Sequence, residues 1–207
     1  VAWELWYNFA HISAHIFERY KTTAAKRQGK TMLKLPYGVS NFSQLAKEKY
    51  YFVDRTPFIA QLEQMNERYL FYLRPRRFGK TLFVSMLQTY YGLEYAAQFA
   101  DIFGNYLIGQ QPTELANHYL VLKLDFSRIN TQTRESTFAG FLENVKQGVS
   151  HFLSAYQACY TEDDHQYIFS AEEPSVVLSR LFERTKNHQS ASEFQHKIYL
   201  LIDEYDH

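Results

Sequence analysis

Only one cysteine, Cys159, occurs in 207 residues, which excludes an internal disulfide and suits a chain made in a reducing compartment. It falls on the apolar side of a helical pattern and is expected as a core thiol. No apolar stretch approaches the roughly 20 residues of a membrane span, and the N-terminal segment is broken by Glu4, His11 and His15. A cytoplasmic protein without membrane contact is therefore the expectation. Excess charge of one sign is missing too: 22 Lys and Arg balance 22 Asp and Glu, so nothing argues for a general electrostatic grip on nucleic acid. The eight histidines are scattered and form no zinc-ligand spacing, so a structural metal is not indicated. Internal repeats and low-complexity tracts are lacking as well. What is present, 46% hydrophobic and 17% aromatic residues, is enough to bury one sizeable core.

The basic charge is concentrated. Arg74-Pro75-Arg76-Arg77-Phe78-Gly79-Lys80-Thr81 follows an apolar run, Tyr69-Leu70-Phe71-Tyr72-Leu73, and opens a helical pattern. A strand, a tight turn and a helix in succession leave several backbone N–H groups unpaired and aimed at one point, where the helix dipole adds positive potential. A nucleoside triphosphate fits there. Gly79 would let the backbone approach the phosphates, Lys80 would supply a point charge to the outer ones, and the Thr81 hydroxyl could ligate magnesium. The pattern G-x-x-x-x-G-K-[ST] is incomplete, since Arg74 stands where the first glycine belongs. Taken alone, the segment reads equally as a solvated basic strand end.

Near the other end, Ile198-Tyr199-Leu200-Leu201-Ile202 runs into Asp203-Glu204, as a buried parallel strand with carboxylates at its C-terminal tip would. This is a Walker B pattern. Asp203 would join the magnesium shell and Glu204 would polarise an attacking water. An ordinary strand followed by an acidic loop, Asp203 to Asp206, is the competing reading. Two weak patterns in the right order, each on a strand tip of one sheet, support each other.

Residues 1–31 differ from the rest. The first residue is Val and a basic stretch from Lys21 to Lys30 precedes Met32, so Met32 is expected as the native start and residues 1–31 as a non-native or upstream extension. An amphipathic helix through Trp3, Trp6, Tyr7, Ala10, Ala14 and Phe17 is the alternative. Further on, Leu35-Pro36-Tyr37-Gly38 predicts a turn, Asn41 the cap of a short helix, and Asp54-Arg55-Thr56-Pro57 the entry to a helix buried through Phe58, Ile59, Leu62 and Met65. Leu82, Phe83, Met86, Leu87 and Tyr90 mark a helix that Gly92 would end at C′. The run from Tyr119 to Phe126 predicts a buried strand. Phe138, Phe141, Leu142, Val145, Val149, Phe152, Leu153 and Tyr156 predict a helix of some five turns. Ser170-Ala171-Glu172-Glu173 has capping-box form ahead of a helix buried through Val177, Leu178, Leu181 and Phe182, and residues 188–193 read as a loop. Strands alternating with helices predict an α/β domain with a mainly parallel sheet.

With these segments laid out, the chain resembles the AAA-ATPase-like family of bacterial and archaeal P-loop proteins, which often carry a C-terminal nuclease-like domain of the PD-(D/E)xK type. The likeness rests on Leu35-Pro36-Tyr37-Gly38-Val39-Ser40-Asn41-Phe42, on Tyr51-Phe52-Val53-Asp54-Arg55-Thr56 with Arg55 where the family has Lys, and on residues 73–81. Leu122-Lys123-Leu124-Asp125-Phe126-Ser127 and Leu201-Ile202-Asp203-Glu204-Tyr205-Asp206 complete it. The family ordinarily has Arg at the place of Arg74, which accounts for the missing glycine. The resemblance implies a three-layer P-loop sandwich over residues 32–207, with ATP and magnesium held by Gly79, Lys80, Thr81 and Asp203, and water activated by Glu204. Phosphate contacts from Arg76, Arg77 and Phe78 are implied as well, with exposed charge the equal alternative for the two arginines. In this branch the strand after Walker B lies between the P-loop strand and the Walker B strand, so the chain is expected to be a fragment whose sheet keeps a gap or closes around a wrong pairing with exposed edges.

An ATPase driving a partner or a C-terminal domain is the leading functional expectation, with an arginine finger supplied in trans by a homo-oligomer or partner. Nucleic acid would be reached only through the C-terminal domain. A nucleotide-regulated binding module without appreciable turnover is the alternative. A small-molecule kinase is disfavoured, because it needs no water-activating Glu204.

Overall fold

Alternation along two short strands decides how this chain is layered. In the computed structural model, described for residues 34–73, 75, 77–127, 129–191 and 196–205, β1 (Tyr119–Asp125) and β2 (Lys197–Asp203) pair in parallel. The register runs from Tyr119 opposite Lys197 to Asp125 opposite Asp203. Ahead of β1 lie α1 (Phe42–Lys47), α2 (Pro57–Met65), α3 (Lys80–Tyr91), a 3-10 turn (Leu93–Gln98), α4 (Phe99–Phe103) and α5 (Leu107–Gln110). Parallel neighbours need a long crossover. Here it carries α6 (Arg134–Ala155), a 3-10 turn (Gln157–Cys159), α7 (Glu162–Phe169) and α8 (Pro174–Ala191).

Leu120, Leu122 and Leu124 point to one face of the sheet, where Val145, Val149, Phe152 and Leu153 of α6 and Val177 and Leu181 of α8 close over them. Val121 and Leu201 point to the other, into a core with Phe42, Ile59, Phe83, Met86, Tyr90, Tyr91, Ile102 and Phe103. Helices therefore cover both faces of a small parallel sheet, the mixed α/β layering that the alternation of elements predicts.

Local signals account for most element ends. Asn41 Oδ1 accepts a hydrogen bond from Gln44 N at 2.9 Å and starts α1. Pro57 opens α2, where its missing N–H costs nothing. Thr133 with Ser136, and Thr161 with Asp164, form reciprocal capping boxes for α6 and α7. Gly148 brings α6 onto β1: a Cβ there would lie 2.6 Å from Leu124 Cδ2 and 2.8 Å from Lys123 O.

Several expectations are corrected. Residues 69–73 are not a strand; among the described residues the sheet has two strands only. An apolar run becomes a strand only where a sheet edge receives its backbone, and this run settles by side-chain contact instead. The Tyr72 ring stacks on Phe83 at 4.8 Å, Phe71 meets Tyr205 edge-on at 5.8 Å, and Tyr69 and Leu73 remain exposed. Nor is β2 buried throughout, since Leu200 and Ile202 are each over two-fifths exposed.

In α6, Phe138 is half exposed and Phe141 about two-fifths exposed. Phe141 stacks on Phe126 just past β1, and Gly148 abuts Leu124, so the first two turns of α6 lie beyond the strand's end with no sheet to cover them. Phe182 is likewise exposed, although Val177 and Leu181 are buried. Ser170 ends α7 rather than capping α8: its hydroxyl donates to Tyr167 O and accepts from Arg180 Nη1. The expected loop at residues 188–193 is helical as far as Ala191. Gly92 does end α3, but at φ −68°, not in the left-handed form; it is small because a Cβ would meet Gln88 O at 2.7 Å. Cys159 is half-buried in its 3-10 turn, where burial pushes the thiol pKa up and away from reactivity. The Met32 start, the reading of residues 1–31, Arg74, Arg76, Glu193 and Asp206 lie outside the described residues.

Candidate functional site

Two left-handed residues turn the chain into α3. Arg77 has φ 67° and Gly79 φ 78°, while Phe78 N between them donates to Pro75 O at 3.3 Å. Gly79 is the N-cap of α3, and no side chain caps that end. The first backbone donors of a twelve-residue helix thus open toward the loop behind an N-cap glycine that has no side chain to receive them. Phe78 and Arg77 are exposed; Gly79, Lys80 and Thr81 are half-buried.

The second element arrives from β2. Its alternation turns Asp203 to the same face as Leu201, which is the face α3 covers. There the Thr81 hydroxyl acts on the Asp203 carboxyl as a hydrogen-bonding neighbour. Asp203 is 3% exposed; its Oδ1 accepts from Glu204 N at 3.1 Å, whereas its Oδ2 has no hydrogen-bond partner. Loss of solvent raises the Asp203 pKa above the usual carboxylate range, the Lys123 ammonium and the Thr81 hydroxyl oppose that rise, and the carboxylates of Asp125 and Glu204 add to it.

Of the residues expected from sequence, Thr81 and Asp203 are therefore brought together. Gly79 and Lys80 adjoin the one; Glu204, at a left-handed φ of 52° and half-buried, adjoins the other. Three further residues stand at the site without having been expected. Lys123 Nζ lies 3.9 Å from Asp203 Oδ2. Asp125 sits opposite Asp203 in register, its Oδ1 taken by Ser127 N at 2.9 Å. The Arg55 guanidinium comes within 3.8 Å of the place a Gly79 Cβ would occupy. Counting back from the two strand tips in parallel register would have found Asp125 and Lys123; no local signal ties Arg55 to the loop.

A hard cation suits this donor set. Magnesium takes few protein oxygens and completes its shell with water and substrate phosphate, and an oxygen-bearing Thr81 beside an orphaned, buried Asp203 Oδ2 is such a partial shell. Among the described residues no group of three or more His, Cys, Asp or Glu forms a closed metal cage, and no helix is long and apolar enough to cross a membrane.

Residues 36–207 match the model of a protein family described as "Predicted AAA-ATPase". A stretch of 55 residues is 46% identical to a protein of Azotobacter chroococcum mcd 1 described as "Uncharacterized protein in vnfD 5'region", covering 26% of this chain and 10% of that relative. The chain thus matches a small part of the relative's length. No solved structure matches the chain significantly.

Proposed function

This chain belongs to the AAA-ATPase-like family, and from that premise we propose that it binds ATP with magnesium at the mouth between α3 and β2 and hydrolyses it. The single observation that carries the reading is the buried Asp203 Oδ2, without a hydrogen-bond partner, beside the Thr81 hydroxyl in the first turn of an uncapped helix. A buried charged oxygen left without a donor is costly, and a cation is what relieves it.

On this reading the N–H groups opening α3 receive phosphate oxygens, and the Lys80 ammonium neutralises charge on the outer phosphates. Arg77 and Phe78 border the same loop, and Arg76 belongs to it by sequence. Thr81 and Asp203 hold the magnesium, which when bound offsets charge developing on the transferred phosphoryl group. Glu204, one residue beyond the Asp203 shell, orients a water and accepts its proton. Its left-handed backbone, tied by the Glu204 N to Asp203 Oδ1 bond, turns the chain at that point. Hydrolysis would drive a partner or a C-terminal domain, and an arginine supplied in trans would raise turnover by roughly 10³ to 10⁵.

The test is turnover and binding measured on the same protein. Glu204→Gln should lower ATP hydrolysis by about 10² or more while retaining MgATP binding. MgATP binding without hydrolysis above background in either protein would favour a nucleotide-regulated binding module instead, and hydrolysis unchanged by the substitution would refute the role of Glu204.

A further inference from the structure

We propose that Arg55 is a second phosphate-binding cation of this site, reaching the nucleotide from the Gly79 side of the loop; the inference rests on the MgATP reading above. Its backbone is clamped on both sides. Asp54, 4% exposed, accepts from Thr56 N at 2.9 Å, from Thr56 Oγ1 at 2.6 Å and from Leu107 N at 2.9 Å, and Thr56, fully buried, accepts from Ile108 N at 3.3 Å. Pro57 then fixes the start of α2. Between two buried anchors Arg55 alone is exposed, and its Nη1 lies 3.8 Å from where a Cβ on Gly79 would stand. A side chain needed only for packing would not be kept in solvent at the end of so fixed a backbone.

The position is chemically apt. Gly79 exposes its backbone to whatever occupies the loop, and a guanidinium beside it presents a planar fork that can take two phosphate oxygens at once. Lys80, by contrast, offers a point charge. The neighbouring Asp203, buried and lacking a donor on Oδ2, independently marks this mouth as built for a charged ligand. Arg55 would add affinity for phosphate-bearing nucleotide through contacts that the helix N-terminus alone does not make.

The experiment titrates MgATP calorimetrically into the wild-type chain and into Arg55→Ala, Arg55→Lys and Lys80→Ala, with thermal melting of each protein free of nucleotide. Arg55→Ala should weaken binding by about tenfold or more, Arg55→Lys should recover part of the loss, and the nucleotide-free melting temperature should not move. If Lys80→Ala abolishes binding while Arg55→Ala stays within about twofold of wild type, this inference is overturned and the phosphate loop stands. A binding loss matched by a lower melting temperature, with Lys no better than Ala, marks a structural role and overturns it too. If wild type does not bind MgATP, or Lys80→Ala binds as well as wild type, the MgATP reading fails and this one with it.

Discussion

The Asp125 and Asp203 carboxylates end adjacent parallel strands in direct register, and the charge on Asp125 adds to the cost of ionising the buried Asp203, which the Lys123 ammonium, 3.9 Å from Asp203 Oδ2, opposes. Such an arrangement is electrostatically unfinished. It fits a mouth whose missing positive charge comes with the ligand, and it sets the first expectation.

Burial lifts the Asp203 pKa, so the native state holds that proton more tightly than the unfolded chain, whose carboxyl sits near 3.8. The stability this group contributes is full below the unfolded pKa and is lost as pH rises through the raised native one. Asp203→Asn should therefore melt a few degrees above wild type at neutral pH without nucleotide, at about 2–4 °C per kcal/mol for a chain of this size, with the difference shrinking toward pH 4. Melting curves across that range check it. The same variant should gain less than wild type on adding MgATP.

Gly79→Ala separates backbone from contact. Among the described residues only Arg55 Nη1, at 3.8 Å, would meet the new methyl, so the obstacle is the backbone, at φ 78°. The cost should be about 1–2 kcal/mol in urea unfolding, and nucleotide binding should fall further because the methyl sits where the phosphates approach.

Asp54→Ala removes a buried carboxylate that accepts three hydrogen bonds, two from Thr56 and one from Leu107. Leaving those donors unsatisfied should cost about 2–4 kcal/mol in denaturant midpoint analysis. Asp54→Asn, which keeps two acceptor lone pairs on one oxygen, should lose less.

Gly148→Ala overpacks the seam between α6 and β1. The added methyl would sit 2.6 Å from Leu124 Cδ2 and 2.8 Å from Lys123 O, so α6 must shift. Despite the better helix propensity of Ala, a net loss of about 1–3 kcal/mol is expected, read by chemical denaturation.

How far the chain could be read in advance follows from where each signal lies. The loop at Gly79-Lys80-Thr81 and the Asp203-Glu204 tip are contiguous patterns, β1 and β2 are short apolar runs and α6 is strongly periodic, so each stands out locally. Pairing is a tertiary event. Residues 69–73 have the composition of a strand yet join no ladder, because no sheet edge receives them. Phe138 and Phe141 keep the spacing of a core stripe but lie past the end of the strand that would cover them. Arg55 and Lys123 reach the site only through the folding of α2 and the register of β1, which neither segment encodes by itself. The extra length of α8 was hidden by its polar composition, which reads as loop until tertiary contacts hold its last turns, Thr185 bonding with Tyr160 Oη and His188 Nε2 with Asp164 Oδ2 at 2.9 Å.

The most direct test of the account is the magnesium dependence of ATP binding, titrated with magnesium and with EDTA, for wild type and for Thr81→Ala, Asp203→Asn and the double variant. Wild type should bind at least about tenfold more tightly with magnesium, each single variant should lose most of that gain, and the double variant should lose little more than either, because both side chains serve one cation. A wild-type chain that binds ATP no better with magnesium, or variants whose losses are small and simply additive, would contradict it.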